Sequence, residues 1–185
     1  MNTRDASALI ATAIPKHGGR VWADFGAGDG TFTRALLDLL GPAARIYAVD
    51  RDATALAAID QWPSAVRANV IPVVADLSRR FDLPGLDETL LDGALFANSL
   101  HFLRDADEVL ARLVALVKPG GRVVFVEYDR RAPSRWVPYP ISSARLPALA
   151  ALAGLTSPVV TTTRPSAYGG ELYVASADVP LKDSR

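Results

Sequence analysis

Three glycines stand at alternate positions in VWADFGAGDGTF, Val21 to Phe32, just behind an aspartate, Asp24. Gly26, Gly28 and Gly30 separate an apolar run from the start of a helical pattern. Glycine inside ordered structure costs conformational entropy. Three in so short a span mark a backbone that something must approach closely, or a turn with dihedrals that other residues do not reach. Such a loop lets backbone amides meet a nucleoside-bearing ligand, and the helix N-terminus beyond it favours a negative group such as a carboxylate. Further along, polar side chains close successive apolar runs: Asp50 in IYAVD, Asp76 before Leu77 in VVADL, Asn98 after LFA. His101 follows soon after Asn98, and its ordinary pKa suits a general base near neutral pH.

The elements that must position these residues alternate in type. Arg20–Phe25, Arg45–Val49, Val70–Ala75, Leu91–Ala97 and Arg122–Val126 read as strands. They are continuous apolar runs, as expected where helices cover both faces of a parallel sheet. Helical patterns fall between them. Thr31–Leu40 is stopped by Gly41-Pro42, and Asp52–Ile59 has Asp52 as its expected N-cap. Asp105–Val117 carries Val109, Leu110, Leu113, Leu116 and Val117 on one stripe, with Lys118-Pro119-Gly120-Gly121 as its stop. Ser78–Glu88 is irregular. After the fifth strand comes an Arg, Pro and aromatic stretch over 130–145, then a helix over Ala144–Ala153 with Pro147 in its first turn. Pro158–Thr163 and Glu171–Ala177 close the chain as an antiparallel pair. The fold class is α/β, a doubly wound, mostly parallel sheet with helices on both faces.

Bulk composition narrows the function classes. The 185 residues fit one domain, 1–185, with 1–19 as an N-terminal helical segment. Lysine plus arginine and aspartate plus glutamate are both 20, so nothing advertises a nucleic-acid or membrane surface. With no cysteine, disulfides, thiolate metal sites and cysteine nucleophiles are excluded. Only His17 and His101 are histidines, which speaks against a metal site, and no metal is expected. His17, beside Gly18-Gly19, reads as a loop residue. The N-terminus lacks signal-peptide character and no apolar run reaches membrane length, so a cytoplasmic protein is expected.

In an open α/β sheet, ligands bind beyond the carboxyl ends of the strands, where strand order reverses. Two patterns compete for the glycine turn. A dinucleotide fingerprint is Gly-x-Gly-x-x-Gly, but here the third glycine comes one place early, Thr31 fills its slot, and Asp29 sits poorly beside a pyrophosphate. Asp-x-Gly-x-Gly-x-Gly instead resembles the first motif of class I S-adenosylmethionine-dependent methyltransferases, a Rossmann-like family with a seven-stranded sheet. The resemblance spans residues 20–130, and the closing strand pair and Lys118-Pro119-Gly120-Gly121 also fit it.

The resemblance implies S-adenosylmethionine as cofactor. It assigns Asp24, Gly26, Ala27, Gly28 and Gly30 to cofactor contact, with Asp24 meeting the methionine amino group directly or through water, and Asp50 to the two ribose hydroxyls, which a carboxylate can bind together. Asp76 and Leu77 would meet the adenine, Arg51 would stack on it, and Asn98 would lie near the methionine part. His101 is the candidate base, although a nucleophilic acceptor needs none, since alignment for in-line displacement then suffices. Each residue also has a plainer role: Asp24 as a structural carboxylate, Arg51 as a solvated charge, His101 as pocket packing. Glu127, Tyr128 and Asp129 are second-rank acceptor-side candidates. Arg130, Arg131, Arg135, Arg145 and Arg164, with Trp136, Tyr139 and Tyr168, surround the stretch where the family varies its acceptor pocket, and arginines there can bind an anion bidentately. The expected activity is methyl transfer to a small, anionic or aromatic acceptor. A short N-terminus leaves the site open to a large acceptor or to a homodimer partner acting as a lid. The rivals are a non-catalytic subunit of the same fold and a nicotinamide-dependent oxidoreductase.

Overall fold

The computed structural model describes residues 1–16, 19–86, 90–166 and 169–181. His17 and Tyr168 lie outside them, as does the end of the expected 78–88 irregular stretch. Seven strands form one sheet: β1 (Val21–Phe25), β2 (Arg45–Asp50), β3 (Val70–Val74), β4 (Leu91–Ala97), β5 (Val117–Asp129), β6 (Val159–Pro165) and β7 (Glu171–Asp178). Their order is β3-β2-β1-β4-β5-β7-β6. The first five are mutually parallel. β7 runs antiparallel to both β5 and β6. The chain steps outward from β1 to β3, then returns to lay β4 on the other side of β1, so the reversal point lies between β1 and β4.

Helices cover both faces. α1 (Thr3–Ile10) packs beside α2 (Thr31–Leu40), and with Leu56 and Ile59 they bury one face, against Trp22, Ile46 and Leu95. α5 (Ala106–Val114) and α6 (Leu146–Leu152) bury the other, against Phe25, Phe96 and Phe125. Close packing leaves its mark on β4: a Cβ on Gly93 would fall 2.5 Å from the Trp22 ring, so the strand admits no side chain there.

Three boundaries differ from expectation. The 52–59 helix is one turn of α3 (Ala53–Leu56), a 3₁₀ stretch to Gln61, and a further short turn α4 (Ser64–Arg67). Asp52 caps α3 as expected, its Oδ1 accepting from the Thr54 and Ala55 amides at 2.9 and 3.1 Å. α5 ends at Val114, and Val117 opens β5 instead. Lys118-Pro119-Gly120-Gly121 is therefore not a helix stop followed by a new strand. It bulges out within β5, where Leu91 pairs Val117 and Gly93 already pairs Arg122. Asp92 ties this bulge to the start of β1, accepting from the Arg20 and Val21 amides at 2.6 and 2.8 Å and from Lys118 Nζ.

Candidate active site

The glycine turn leaves the end of β1 and is drawn over β2. Gly26 and Ala27 donate their amides to the Val49 carbonyl at 2.8 and 3.0 Å. Gly26 has φ +91°, and a Cβ there would stand 2.3 Å from Ser99 Cβ, so the turn comes within contact of the chain leaving β4. Asp50 locks the next step. Its Oδ2 accepts from the Gly28 amide at 2.8 Å and its Oδ1 from the Asp52 amide at 2.9 Å. Each carboxylate oxygen keeps a second lone pair for another donor.

These contacts build a cleft of about 300 Å³ at the β1/β4 reversal. Seven of the ten sequence-predicted cofactor residues line it: Gly26, Gly28, Asp50, Arg51, Asp76, Leu77 and Asn98. Ser99, Phe102 and Leu103 also line it, the first two from the Asn98–Phe102 stretch that the resemblance places near the methionine part and the methyl group. Asp76 is braced by Ser78, whose amide and hydroxyl donate to its Oδ1 at 2.9 and 2.7 Å. Those hydrogen bonds hold its carboxyl below the usual carboxylate range.

The other three stand back from the cleft. Ala27 is buried in the helical layer behind the turn. Gly30 caps α2 and faces the Trp62 ring, 2.7 Å from where its Cβ would be. Asp24 is wholly buried, one oxygen accepting from the Thr33 hydroxyl at 2.7 Å. Burial pushes its carboxyl up to about 7; the Thr33 hydrogen bond opposes the rise and the Asp50 charge adds to it.

The cleft suits an adenosyl ligand bearing an amino group. Asp24 Oδ1, Asn98 Oδ1 and Ser99 Oγ are buried without a hydrogen-bond partner among the described residues. Buried polar atoms of this kind are rarely left unpaired in native proteins. Here Asn98 and Ser99 line the cleft beside Asp50, a carboxylate able to take two hydroxyls, and Asp24 lies on β1 behind the turn.

Asn98 turns the chain sharply after β4, with φ +54°, a conformation that asparagine tolerates better than most residues. A 3₁₀ turn over Leu100–Phe102 follows and carries His101 inward. His101 is 1% exposed and Glu127, from β5, is 0% exposed. His101 Nδ1 lies 2.6 Å from Glu127 Oε2, and the His101 amide donates to Oε1 at 3.3 Å. A carboxylate opposite Nδ1 selects the tautomer that carries its proton there. Nε2 is then left as the acceptor, on a ring that lines a second cavity of about 390 Å³. That cavity adjoins the first through Asn98 and Phe102, and Tyr128, Arg131, Trp136 and Val137 complete it.

The arginine and aromatic group divides. Arg131 and Trp136 reach the cavity. Arg135 stacks over Trp136 at 5.6 Å, Arg145 donates to the Pro140 carbonyl, and Arg164 lies on the edge strand β6. Tyr139 holds the His101 carbonyl through its amide at 2.9 Å. Asp129 is committed to Ser143, accepting from its amide and hydroxyl at 3.0 and 2.9 Å. Among the described residues no group of three or more His, Asp or Glu is placed to hold a metal, and no helix is long and apolar enough to cross a membrane.

A sheet of this order, with a glycine turn and polar strand ends meeting at its reversal point, defines a Rossmann-like domain built to bind a nucleoside. The chain belongs to the methyltransferase-domain family, whose model matches residues 23–123. It carries the fold of S-adenosylmethionine-dependent methyltransferases. The structure of Burkholderia thailandensis 1,6-didemethyltoxoflavin-N1-methyltransferase, with bound 1,6-didemethyltoxoflavin and S-adenosylhomocysteine, is 29% identical; the match covers 96% of this chain and 78% of that one, with TM-score 0.69. Two more distant likenesses show the fold alone. An arsenic(III) S-adenosylmethionine methyltransferase from Chlamydomonas reinhardtii is 18% identical, with 99% and 74% covered and TM-score 0.71. Human N-acetylserotonin methyltransferase in complex with SAM is 18% identical, with 95% and 52% covered and TM-score 0.71. In sequence, a hybrid PKS-NRPS synthetase of Emericella nidulans is 33% identical over 106 residues, which are 56% of this chain and 3% of that protein. The chain thus spans a small fraction of that relative's length.

Proposed function

We propose that this chain transfers a methyl group from S-adenosylmethionine to a small acceptor, anionic or aromatic in character, with His101 as general base. The observation that carries the reading is the junction of two cavities at Asn98 and Phe102: one with unpaired acceptors and a diol-competent carboxylate, the other with a histidine–glutamate pair. Bound S-adenosylmethionine supplies an electrophilic methyl carbon on a sulfonium, open to in-line displacement.

The chain's own residues do the rest. Asp50 would take the ribose hydroxyls, Asp76 and Leu77 would meet the adenine with Arg51 over it, and the turn at Gly26 and Gly28 would sit against the methionine end. Asn98 Oδ1 and Ser99 Oγ would accept from its amino group. In the adjoining cavity Phe102, Tyr128 and Trp136 would hold an acceptor and keep water from the reacting atoms. His101 Nε2 would take the proton from the acceptor's nucleophilic hydroxyl. Glu127 is a positioning residue. It fixes the ring and faces the positive charge that the ring gains on capturing that proton.

Calorimetric titration with S-adenosylhomocysteine, with NADH as control, tests the cofactor. Binding near micromolar, about −8 kcal/mol, without NADH binding is the expected result. Binding of NADH in its place refutes the reading. Binding of the thioether together with no turnover of any acceptor favours the non-catalytic subunit instead.

A further inference from the structure

We propose that Arg131 is the specificity-determining residue of the acceptor cavity, and that it selects a planar acceptor carrying an anionic oxygen, of the class of aromatic hydroxy acids. This rests on the methyltransferase reading and narrows its substrate.

Three observations meet at this side chain. Its guanidinium lies over the Tyr128 ring, 4.7 Å from the centroid, which holds its plane against the cavity wall. Its Nη1 is buried and has no hydrogen-bond partner among the described residues. Among the described residues no ion pair includes Arg131: of the two carboxylates on the end of β5, Glu127 is engaged by His101, and Asp129 accepts from the Ser143 amide and hydroxyl. A buried, unpaired donor on a charged group is expensive and is rarely left so in a native protein. A ligand oxygen bearing negative charge would satisfy it, and a guanidinium fork matches a carboxylate in two parallel hydrogen bonds.

The shape of the cavity supplies the rest of the description. Trp136 and Phe102, 71% and 48% exposed, flank it with aromatic surface that solvent now touches. A flat acceptor would cover both. The backbone is bent to bring Arg131 here: Arg130 has φ +52°, unusual for a side chain of its size, and reverses the chain as it leaves β5. With Arg131 holding the acid group, the same acceptor can offer a hydroxyl to His101 within one cavity.

The test compares matched acids and amides. The wild-type protein is titrated calorimetrically with 4-hydroxybenzoate and 4-hydroxybenzamide, and with 4-hydroxycinnamate and its amide, each with and without S-adenosylhomocysteine. The acids should bind about tenfold or more tightly than the amides, the difference expected of hydrogen bonds to a charged group. Arg131→Gln should erase that difference, Arg131→Lys should keep part of it, and both should leave S-adenosylhomocysteine affinity and the thermal midpoint unchanged. Amides binding as well as acids, no binding by either, or an acid preference that survives Arg131→Gln would overturn the proposal. Failure of S-adenosylhomocysteine to bind would instead sink the methyltransferase reading, with the acid-to-amide ratio still measurable on the protein alone.

Discussion

Replacing Asp24 with asparagine should make the protein less sensitive to pH. The wild-type carboxyl is fully buried, and burial carries its pKa from 3.8 to about 7. A carboxyl with a raised folded-state pKa contributes its full share of stability below the unfolded value, near 4. That share is lost as pH rises through the folded value, near 7, because between the two the folded state holds a proton that the unfolded state has released. At about 1.4 kcal/mol per pH unit of separation, ionising Asp24 in the folded protein costs about 4 kcal/mol, of which about 3 kcal/mol falls between pH 5 and pH 8. For a chain of this length that corresponds to roughly 6–12 °C in thermal midpoint. Asparagine preserves shape and can still accept from Thr33, but it does not titrate. Differential scanning calorimetry of both proteins at pH 5 and pH 8 is the assay, read as a difference of differences so that other titrating groups cancel. The wild-type midpoint should fall more than that of Asp24→Asn, so the variant gains most at pH 8. Parallel declines in the two proteins would mean that Asp24 ionises as an ordinary surface carboxylate, and the description of a buried, unpaired oxygen behind the glycine turn would be wrong.

Three further outcomes follow from the site. Asp50→Ala removes the acceptor that holds the Gly28 amide and, in the proposed reading, two hydrogen bonds to ribose at roughly 1.5–3 kcal/mol each; calorimetry should show S-adenosylhomocysteine affinity down by well over tenfold, and an unchanged Kd would reject the assignment. His101→Gln and Glu127→Gln should each lower kcat for hydroxyl acceptors by about 10²-fold or more while sparing cofactor affinity, and an acceptor already nucleophilic at neutral pH should escape the loss. Equal losses for both acceptor kinds would return the pair to a packing role. Gly26→Ala places a Cβ 2.3 Å from Ser99 Cβ at a φ that side chains rarely adopt; S-adenosylhomocysteine binding should be abolished, and near-wild-type binding would show that the turn and the β4 end are less tightly joined than their contact implies.

The strand ends were legible because they combine two local signals. An apolar run that stops on an aspartate or asparagine marks both an element and the group at its tip, and the order of Asp24, Asp50, Asp76 and Asn98 along the chain matches the motif order of the methyltransferase family that the matched model confirms. Continuous apolar strands also announced a sheet covered on both faces, and that is how β1 and β4 lie. Local signals failed where long-range pairing set the outcome. Val117 continues the stripe of a helix, yet it pairs with Leu91 and opens β5, because completing the sheet outweighs one more turn of helix.

The sequence by itself determined the α/β class, the family and seven residues that line one cleft at the strand ends, since motif spacing and hydrophobic period are properties of the chain read in order. Tertiary structure alone decided what those residues do for one another. Asp24 and Gly30 belong to the motif yet stand back from the cleft, because in α2's packing one meets Thr33 and the other Trp62. His101 and Glu127 are 26 residues apart, and neither spacing nor composition links them; the parallel pairing of β4 with β5 brings their ends side by side and buries the two as a pair. Arg131 is one of five arginines that the sequence offers between β5 and β7. Only the reversal at Arg130 and the ring of Tyr128 set it apart, by turning one guanidinium inward and leaving its Nη1 without a hydrogen-bond partner among the described residues.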